Sequence, residues 1–374
     1  MNAAANHHAF TNHESRITNT YLIAEAGVNH NGSLDLAKAL VAAAAEAGAD
    51  AVKFQTFRAE ALAGKGAPKA AYQQETTDAR ESQWAMLKRL ELKRAYHFDL
   101  VEACAARGLT FLSTPFDIES ADFLVQKLGL PRLKIPSGEI TNGPFLLHLA
   151  RLGVPLILST GMSTLEEVQA ALGVLAFGYT RPNTVRPSAK MFGEAYAAGE
   201  GRAALAEKVT LLHCTTQYPT PFEDVNLRAM DTMRAAFELP VGLSDHTPGI
   251  AVPLAAVARG ASVIEKHFTL DRTLPGPDHK ASLEPSELAA MVVGIRQVEA
   301  ALGQPEKAPA PSERENRQVV RKSLIAARAV SQGAMWTDET LAVKRPGTGV
   351  SPMRYWDYLG RQADRDYQED DLIA

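Results

Sequence analysis

The sequence predicts an α/β protein, a (β/α)8 TIM barrel followed by a small β-rich domain. Three observations predict it. Eight short apolar, β-branched runs lie along the first three quarters of the chain, and most end in a polar or charged residue that an ordinary buried strand would avoid. Helical patterns alternate with them, which favours a parallel sheet, and eight such units favour closure into a barrel. A Pro-rich, charged stretch then leads into short strand-like runs and turns.

In chain order the runs are YLIAEAG, AVKFQTF, TFLSTPF, RLKIPSGE, PLILSTGM, VTLLHCT, VGLSDHT and SVIEKHF. Their closing polar residues are Glu25, Lys53 with Gln55, Thr114, Lys134 with Ser137 and Glu139, Ser159, His213 with Thr215, Ser244 with Asp245 and His246, and Lys266 with His267. After the first run, SLDLAKALVAAAAEAGA reads as an amphipathic helix with Ser33 as N-cap and Gly48 as its stop. The same strand–turn–helix grammar repeats down to EPSELAAMVVGIRQVEAALG, giving a barrel over residues 20–302.

Two insertions break the rhythm. Residues 58–92 follow the second strand at the face where a barrel carries its active site, so they are expected to form a lid or substrate loop. Residues 180–206 follow the fifth helix, which puts them on the opposite face, and no role is assigned to them. Residues 303–316, GQPEKAPAPSEREN, read as a linker. Residues 317–374 form the small domain, close to the size at which independent stability is marginal, so docking on a barrel or a partner subunit is expected. Residues 1–19 read as a flexible polar tail, frayed rather than metal-binding despite His7, His8 and His13.

Composition narrows the function. A net charge of −4 leaves no global basic footprint for nucleic acid. The N-terminus lacks the apolar core of a signal peptide, and no apolar run reaches the roughly 18 residues that a membrane span needs. Cys104 and Cys214 form neither a disulfide framework nor a CxxC knuckle and read as small buried residues, so a reducing cytoplasm is the expected location.

The mouth residues carry chemistry. Lys53, Lys134 and Lys266, with the hydroxyls of Thr114, Ser137, Ser159 and Ser244, are the inventory for a small, multiply charged anion such as a phosphate or carboxylate. A snorkelling rim lysine and a Schiff-base lysine are the other readings. His246 and His267 end neighbouring strands, which lie about 4.8 Å apart, so the two imidazoles can share one metal. Glu25, on a strand next to the eighth in a closed barrel, could reach the same centre, and two metal-free, hydrogen-bonded histidines are the plain alternative. His213 and His30 are weaker candidates. Glu25, Glu139, Gln55 and Asp278 supply acceptors for sugar hydroxyls or for acid–base work, with Asp278 presented on the Pro/Gly loop LPGPDHKAS.

The motifs IAEAGVNHNG, VKFQTF, STPFD, KIPSGE, LSTGMS, HCTTQYPTPFEDVNL, GLSDHT, IEKHFTLD, LPGPDHKAS and VKRPGTG, in this order, resemble the sialic acid (N-acetylneuraminate) synthase family, which includes legionaminic acid synthases. The resemblance runs from about residue 20 to the end. It implies condensation of phosphoenolpyruvate with the open-chain aldehyde of an N-acylated hexosamine, with release of phosphate by C–O cleavage. It implies a divalent metal, Mn2+ or else Mg2+ or Co2+, on His246 and His267. Lys53, Thr114, Lys134, Ser137, Ser159, Thr216 and Ser244 would hold phosphoenolpyruvate, and Thr216 stands where some members have Asn. Glu25 would act beside C2 of phosphoenolpyruvate. Gln55, Glu139, Tyr218 and Asp278 would contact the sugar. The small domain resembles the family's antifreeze-like SAF domain of β-clip type. Its Arg345 would enter the partner's barrel, which makes a domain-swapped homodimer the expected assembly.

This fits the residue chemistry. C3 of phosphoenolpyruvate is a weak nucleophile, so the aldehyde needs Lewis-acid polarisation. Fixed ammonium and hydroxyl donors suit a charged tetrahedral intermediate, each worth about 3 kcal/mol of transition-state stabilisation. N-acetylmannosamine, giving N-acetylneuraminate, is the first expected sugar, and 2,4-diacetamido-2,4,6-trideoxymannose, giving N,N'-diacetyllegionaminate, is the alternative. A class I Schiff-base aldolase and an inactive barrel with a binding module are the remaining rivals. The first leaves the histidine pair and the hydroxyls unexplained, and the second predicts that strand-end residues such as Glu25, Lys53, His246 and His267 should be missing.

Overall fold

The computed structural model describes residues 20–69, 73–74, 77–78 and 80–373. The expected tail at residues 1–19, with its three histidines, lies outside the described residues. Two compact units are present, residues 1–303 and residues 304–374.

The first unit is the eight-stranded barrel. Its strands are β1 (Tyr21–Gly27), β2 (Ala51–Thr56), β3 (Thr110–Pro115), β4 (Leu133–Ile135), β5 (Leu156–Ser159), β6 (Val209–Cys214), β7 (Val241–Asp245) and β8 (Val263–His267). Every ladder is parallel, in the order β3-β2-β1-β8-β7-β6-β5-β4. β3 and β4 pack side by side to close the ring without a ladder among the described residues. β4 is short and runs into Pro136, and β3 ends at Pro115, so both lack a backbone donor where a ladder would extend.

Side chains alternate between the two faces of each strand, and this parity organises the molecule. One set, including Leu22, Ala24, Phe54, Phe111, Leu158, Leu211, Leu243 and Ile264, faces the helices and forms the main core. The other set points into the barrel. Its lower layer is an apolar plug of Ile23, Ala51, Leu112, Ile157, Leu212 and Val263. Two residues further along the same strands stand Glu25, Lys53, Thr114, Ser159, Cys214 and Glu265. A plug thus closes the bottom and a polar layer caps it. The β7 contribution to the bottom is Gly242, where an added Cβ would lie 2.3 Å from the Val263 carbonyl oxygen, so only glycine fits.

The helices form as their sequences dictate. Ser33 caps Leu34–Glu46 by accepting from the Leu36 amide. Thr164 and Glu167 make a reciprocal capping box at the head of Leu165–Thr180. The insertion at 180–206 folds into helices Ala189–Ala197 and Gly199–Lys208, which pack on Leu165–Thr180 and feed β6 from its N-terminal end. The insertion at 58–92 contains helices Ala59–Leu62 and Gln83–Leu90. No helix among the described residues is long and apolar enough to cross a membrane.

The second unit pairs β9 (Ser323–Ala326) with β10 (Leu341–Lys344) as an antiparallel ribbon. Leu324, Ala326, Val330, Trp336, Leu341, Ala363, Tyr367 and Ile373 form its own small core. Residues 304–316, expected as linker, group with this unit, and Arg314–Val320 is a short helix.

Candidate active site

The C-terminal mouth of the barrel holds a cavity of about 330 Å³. Strand residues supply its polar lining: Glu25, Lys53, Gln55, Thr114, Lys134, Ser159, Ser244 and His267. Ser137, Thr216, Tyr218, His246 and Asp278 join from the loops just beyond the strands. Of the fifteen residues that the sequence reading assigned to the site, thirteen therefore meet in one cavity.

Its centre is a buried charge network. Lys53 Nζ lies 2.6 Å from Glu25 Oε2 and 3.7 Å from Glu265 Oε2, and it donates to Thr114 Oγ1 at 2.9 Å. Lys134 Nζ lies 3.4 Å from Glu265 Oε1, which also accepts from Ser244 Oγ at 3.0 Å. Burial works against the ammonium of Lys53, but the two carboxylates outweigh it and hold its pKa above the usual lysine value. Burial pulls Lys134 below its usual value. Burial, reinforced by the charge of Glu265, raises the Glu25 carboxyl to about 7, against the pull of Lys53. Glu265 goes the other way: burial opposes its charge, but Lys134, Lys53 and the Ser244 hydroxyl overcome it and hold the carboxyl low. One carboxyl is thus poised to take a proton near neutral pH while its neighbour stays a fixed anion between two lysines.

Above this network, Gly161 lets two hydroxyls converge. Its amide donates to Ser137 Oγ at 2.9 Å. A Cβ at this position would stand 2.4 Å from Thr216 Oγ1 and 2.8 Å from Ser137 Oγ. Ser159 Oγ is buried, with no hydrogen-bond partner among the described residues. An unpartnered buried hydroxyl in the same cavity as two ammonium groups is a donor available to a ligand.

The two imidazoles stand on the β7–β8 side with ring centroids 5.4 Å apart, and the Tyr218 ring lies 4.1 Å from His246 and 5.7 Å from His267. His246 Nδ1 is 2.8 Å from the Thr215 carbonyl, which makes that nitrogen the donor and leaves Nε2 as a lone-pair ligand. His267 is buried, and its Nδ1 has no partner among the described residues. Burial, with the His246 and Lys53 charges, drives its pKa well below the usual value, so the ring is neutral. Burial opposes a proton on His246, but Cys214 and the Thr215 carbonyl outweigh it and hold its pKa above the usual value. A divalent cation would fit this imidazole pair by displacing that proton. No group of three or more His, Cys, Asp or Glu converges on a metal-sized point among the described residues. The fit is therefore a two-histidine one, with the other positions left to substrate and water. Asp278 completes this side, and burial lifts its carboxyl to about 6.

Strand parity and local turns place the remaining residues, and they correct the expectations for Lys266, Glu139 and a third metal ligand from Glu25. Lys266 does not enter the mouth. It points away from the cavity, with Nζ 2.5 Å from Asp245 Oδ2, its register partner on β7, and it donates to the Thr247 carbonyl. Asp245 and His213 face outward with it, and His213 Nε2 bonds the Val225 carbonyl at 2.6 Å. Glu25 spends its carboxylate on Lys53 and does not join the histidines as a third ligand. Glu139 does not line the cavity either. It lies in the 3-10 turn Ser137–Glu139, whose advance of about 120° per residue sends Ser137 inward and carries Glu139 away. Its Oε2 accepts from Asn142 Nδ2 at 2.7 Å. Arg345 belongs to the second unit, where it is exposed and its Nε donates to the Val320 carbonyl at 3.0 Å. His30 is buried outside the cavity, and its Nδ1 accepts from the Gly32 amide.

Sequence reading missed two strand residues. Glu265 was hidden between Ile264 and Lys266, and Cys214 was read as apolar filler. Cys214 lines the cavity with Sγ 3.9 Å from His246 Nδ1. Alternation would have found both, because Glu265 shares parity with His267, and Cys214 with the plug residue Leu212. The insertion also lines the cavity, through Leu62, Gln73, Gln83, Met86, Leu87 and Leu90.

With this geometry in place, comparison with known proteins is decisive. The NeuB family model matches residues 40–307. This chain belongs to the NeuB family. It is 48% identical over 354 residues to the N,N'-diacetyllegionaminic acid synthase of Campylobacter jejuni subsp. jejuni serotype O:2, covering 95% of this chain and 98% of that protein. It is also 48% identical over 340 residues to the N,N'-diacetyllegionaminic acid synthase of Legionella pneumophila subsp. pneumophila, covering 91% and 89%. Among solved structures, the N-acetylneuraminic acid (sialic acid) synthetase of Leptospira borgpetersenii serovar Hardjo-bovis, in complex with citrate, superposes with a TM-score of 0.64 at 32% identity. That match covers 80% of this chain and 90% of that one. The barrel is that of a NeuB-family enzyme.

Proposed function

We propose that this protein condenses phosphoenolpyruvate with 2,4-diacetamido-2,4,6-trideoxymannose to give N,N'-diacetyllegionaminate and phosphate. The observation that carries the reaction type is the convergence of Lys53 and Lys134, five serine and threonine hydroxyls and two imidazoles in one cavity. The choice of sugar rests on the two synthases at 48% identity, against 32% for the sialic acid synthetase. N-acetylmannosamine, the sugar first expected from sequence, remains the competing substrate of the same reaction.

In this reading the phosphate and carboxylate of phosphoenolpyruvate sit on Lys53, Lys134, Thr114, Ser137, Ser159, Thr216 and Ser244, with Glu265 holding the two ammonium groups apart. His246 and His267 would hold a divalent cation, Mn2+ by preference, which supplies Lewis-acid polarisation of the sugar aldehyde when bound. Bonding of C3 to the aldehyde carbon breaks the C=O π bond, whose oxygen takes up a proton to become a hydroxyl, and leaves C2 electron-poor. Water adds there, and Glu25, with a carboxyl near 7, accepts its proton. The tetrahedral carbon then expels phosphate with cleavage of the C–O bond, its charge compensated by the lysines. Gln55, Tyr218 and Asp278 face the sugar.

The finer assembly belongs to the same proposal. The second unit is read as the SAF domain, and Arg345 as its contribution to the partner's barrel in a domain-swapped homodimer. The free thiols of Cys104 and Cys214 suit a cytoplasmic location.

The test is phosphate release from phosphoenolpyruvate with each sugar, with Mn2+ present and with EDTA as control. Metal-dependent release is expected, and His267→Ala should abolish it in a protein that still melts cooperatively. Borohydride trapping of a pyruvate adduct without any metal requirement would replace this reading with a Schiff-base aldolase.

A further inference from the structure

The cavity has two chemically different parts. Its floor is the ionic network that the strands deliver. Its wall is mostly apolar, with Gln73 and Gln83 as polar members, and comes from the β1–β3 side: Val28 after β1, the helices Ala59–Leu62 and Gln83–Leu90 after β2, and Phe116 after β3.

This wall is a hydrophobic cluster separate from the barrel core and from the plug. Val28, Phe57, Met86 and Leu90 are its buried members, and Leu62, Leu87 and Phe116 pack against them. All but Phe57 also line the cavity. The wall is built and held in place. Ser82 caps Gln83–Leu90 by accepting from the Ala85 amide. Glu91 accepts from the Ala59 amide at 2.5 Å, and Lys88 bridges Glu60 at 3.0 Å and Glu91 at 2.9 Å. The buried Lys69 ammonium donates to Thr77 Oγ1 at 2.7 Å and to the Asp78 carbonyl at 2.5 Å.

Phosphoenolpyruvate has no apolar surface of this extent to place there, and the reacting aldehyde belongs beside the histidines. The far end of the sugar is what remains. A 6-hydroxyl set against Leu62, Met86, Leu87 and Phe116 would lose hydration that these side chains cannot replace, since Gln73 and Gln83 are the polar groups that the insertion adds to the lining. A methyl group in place of a hydroxymethyl gains by the same burial.

We infer that the wall formed by Leu62, Met86, Leu87 and Phe116 is the specificity element that selects a 6-deoxy sugar over its 6-hydroxy counterpart. This rests on the reading of the site as a phosphoenolpyruvate-dependent synthase, and it assigns the choice of sugar to particular side chains. An apolar pocket discriminates one such group by roughly 10- to 200-fold in kcat/KM. The wall therefore sets a preference and not an absolute barrier.

The experiment measures kcat/KM for N-acetylmannosamine, its 6-deoxy analogue, 2,4-diacetamido-2,4-dideoxymannose and 2,4-diacetamido-2,4,6-trideoxymannose, in the wild type and in Leu87→Asn. Each 6-deoxy sugar is expected to exceed its 6-hydroxy partner by roughly tenfold or more in the wild type. Leu87→Asn should cut that ratio to about a third or less, mostly through the KM of the deoxy sugar, with the KM of phosphoenolpyruvate steady. If Leu87→Asn loses its cooperative melt, Leu62→Asn is read in the same way. A wild-type ratio near one, or an undiminished ratio in the folded variant, overturns the inference while leaving the synthase reading intact. Phosphate release with no sugar at all would overturn both.

Discussion

Glu25 and Glu265 illustrate how residue-scale environment divides labour between identical groups. Both are buried carboxyls beside Lys53, yet only Glu265 has a second lysine and a serine hydroxyl on it. The pKa of Glu25 near 7 gives the enzyme a pH dependence with a definite sign. In its proposed role as the base for water it must be ionised, so kcat/KM should fall as pH drops below about 7, approaching one decade per unit. The charge of Glu265 contributes to the rise, so Glu265→Gln should move that acid limb to lower pH while raising the KM of phosphoenolpyruvate through the loosened lysines. A limb that stays put in Glu265→Gln would remove Glu25 from the role. Glu265 itself was legible only through parity, since nothing in IEKHF distinguishes it from the lysine beside it.

At the scale of elements, helix Arg94–Ala105 is fastened to the sheet by a polar contact. His97 Nε2 lies 2.8 Å from Thr56 Oγ1, which is 2.6 Å from Ser113 Oγ, and all three side chains are on the outer face of the barrel. Burial lowers the pKa of His97 from 6.5 to about 4. His30 and His279 are buried and lowered to about 4 by the same cause. An unfolded histidine takes up a proton near pH 6.5, whereas these folded ones resist until about 4. The stability they confer is therefore complete above about 6.5 and is lost as pH falls from there to 4, by up to about 1.4 kcal/mol per histidine per unit. Urea denaturation between pH 4.5 and 7.5 should show that loss, with a shallower slope in His97→Gln. Equal slopes would mean that His97 is already charged in the folded barrel. The eight strands and their helices were readable from periodicity, because each must bury one face against its neighbours. The wall after β2 was readable only as an insertion, since its short helices make sense only where they meet Val28 and Phe116.

For the whole molecule, the proposal that Arg345 serves the sugar end of a partner's site makes a separable prediction. Arg345→Ala should raise the sugar KM at least tenfold, the scale of one lost charged hydrogen bond of about 1.5 kcal/mol or more. The KM of phosphoenolpyruvate should stay near wild type. Equal effects on both substrates in steady-state kinetics would withdraw Arg345 from the sugar. The second unit is built around a small core of its own, with β9 paired to β10 and Trp336 packed edge-on to Tyr367.

The sequence by itself determined the barrel, the order of its strands and most of the residues that meet at its mouth. Strand periodicity and strand-end chemistry are local signals, and they survive in one dimension. Tertiary structure decided what each polar residue does. Lys266 turns outward to Asp245 while Glu265 turns inward to two lysines, because a one-residue step along a strand reverses the face. Glu139 leaves the cavity because a 3-10 turn rotates it away, and Gly161 admits two hydroxyls because nothing larger fits between them. Burial then sets the charges. Whether a carboxyl titrates near 7 or stays ionised depends on which side chains of distant strands close around it, and no linear spacing encodes that enclosure.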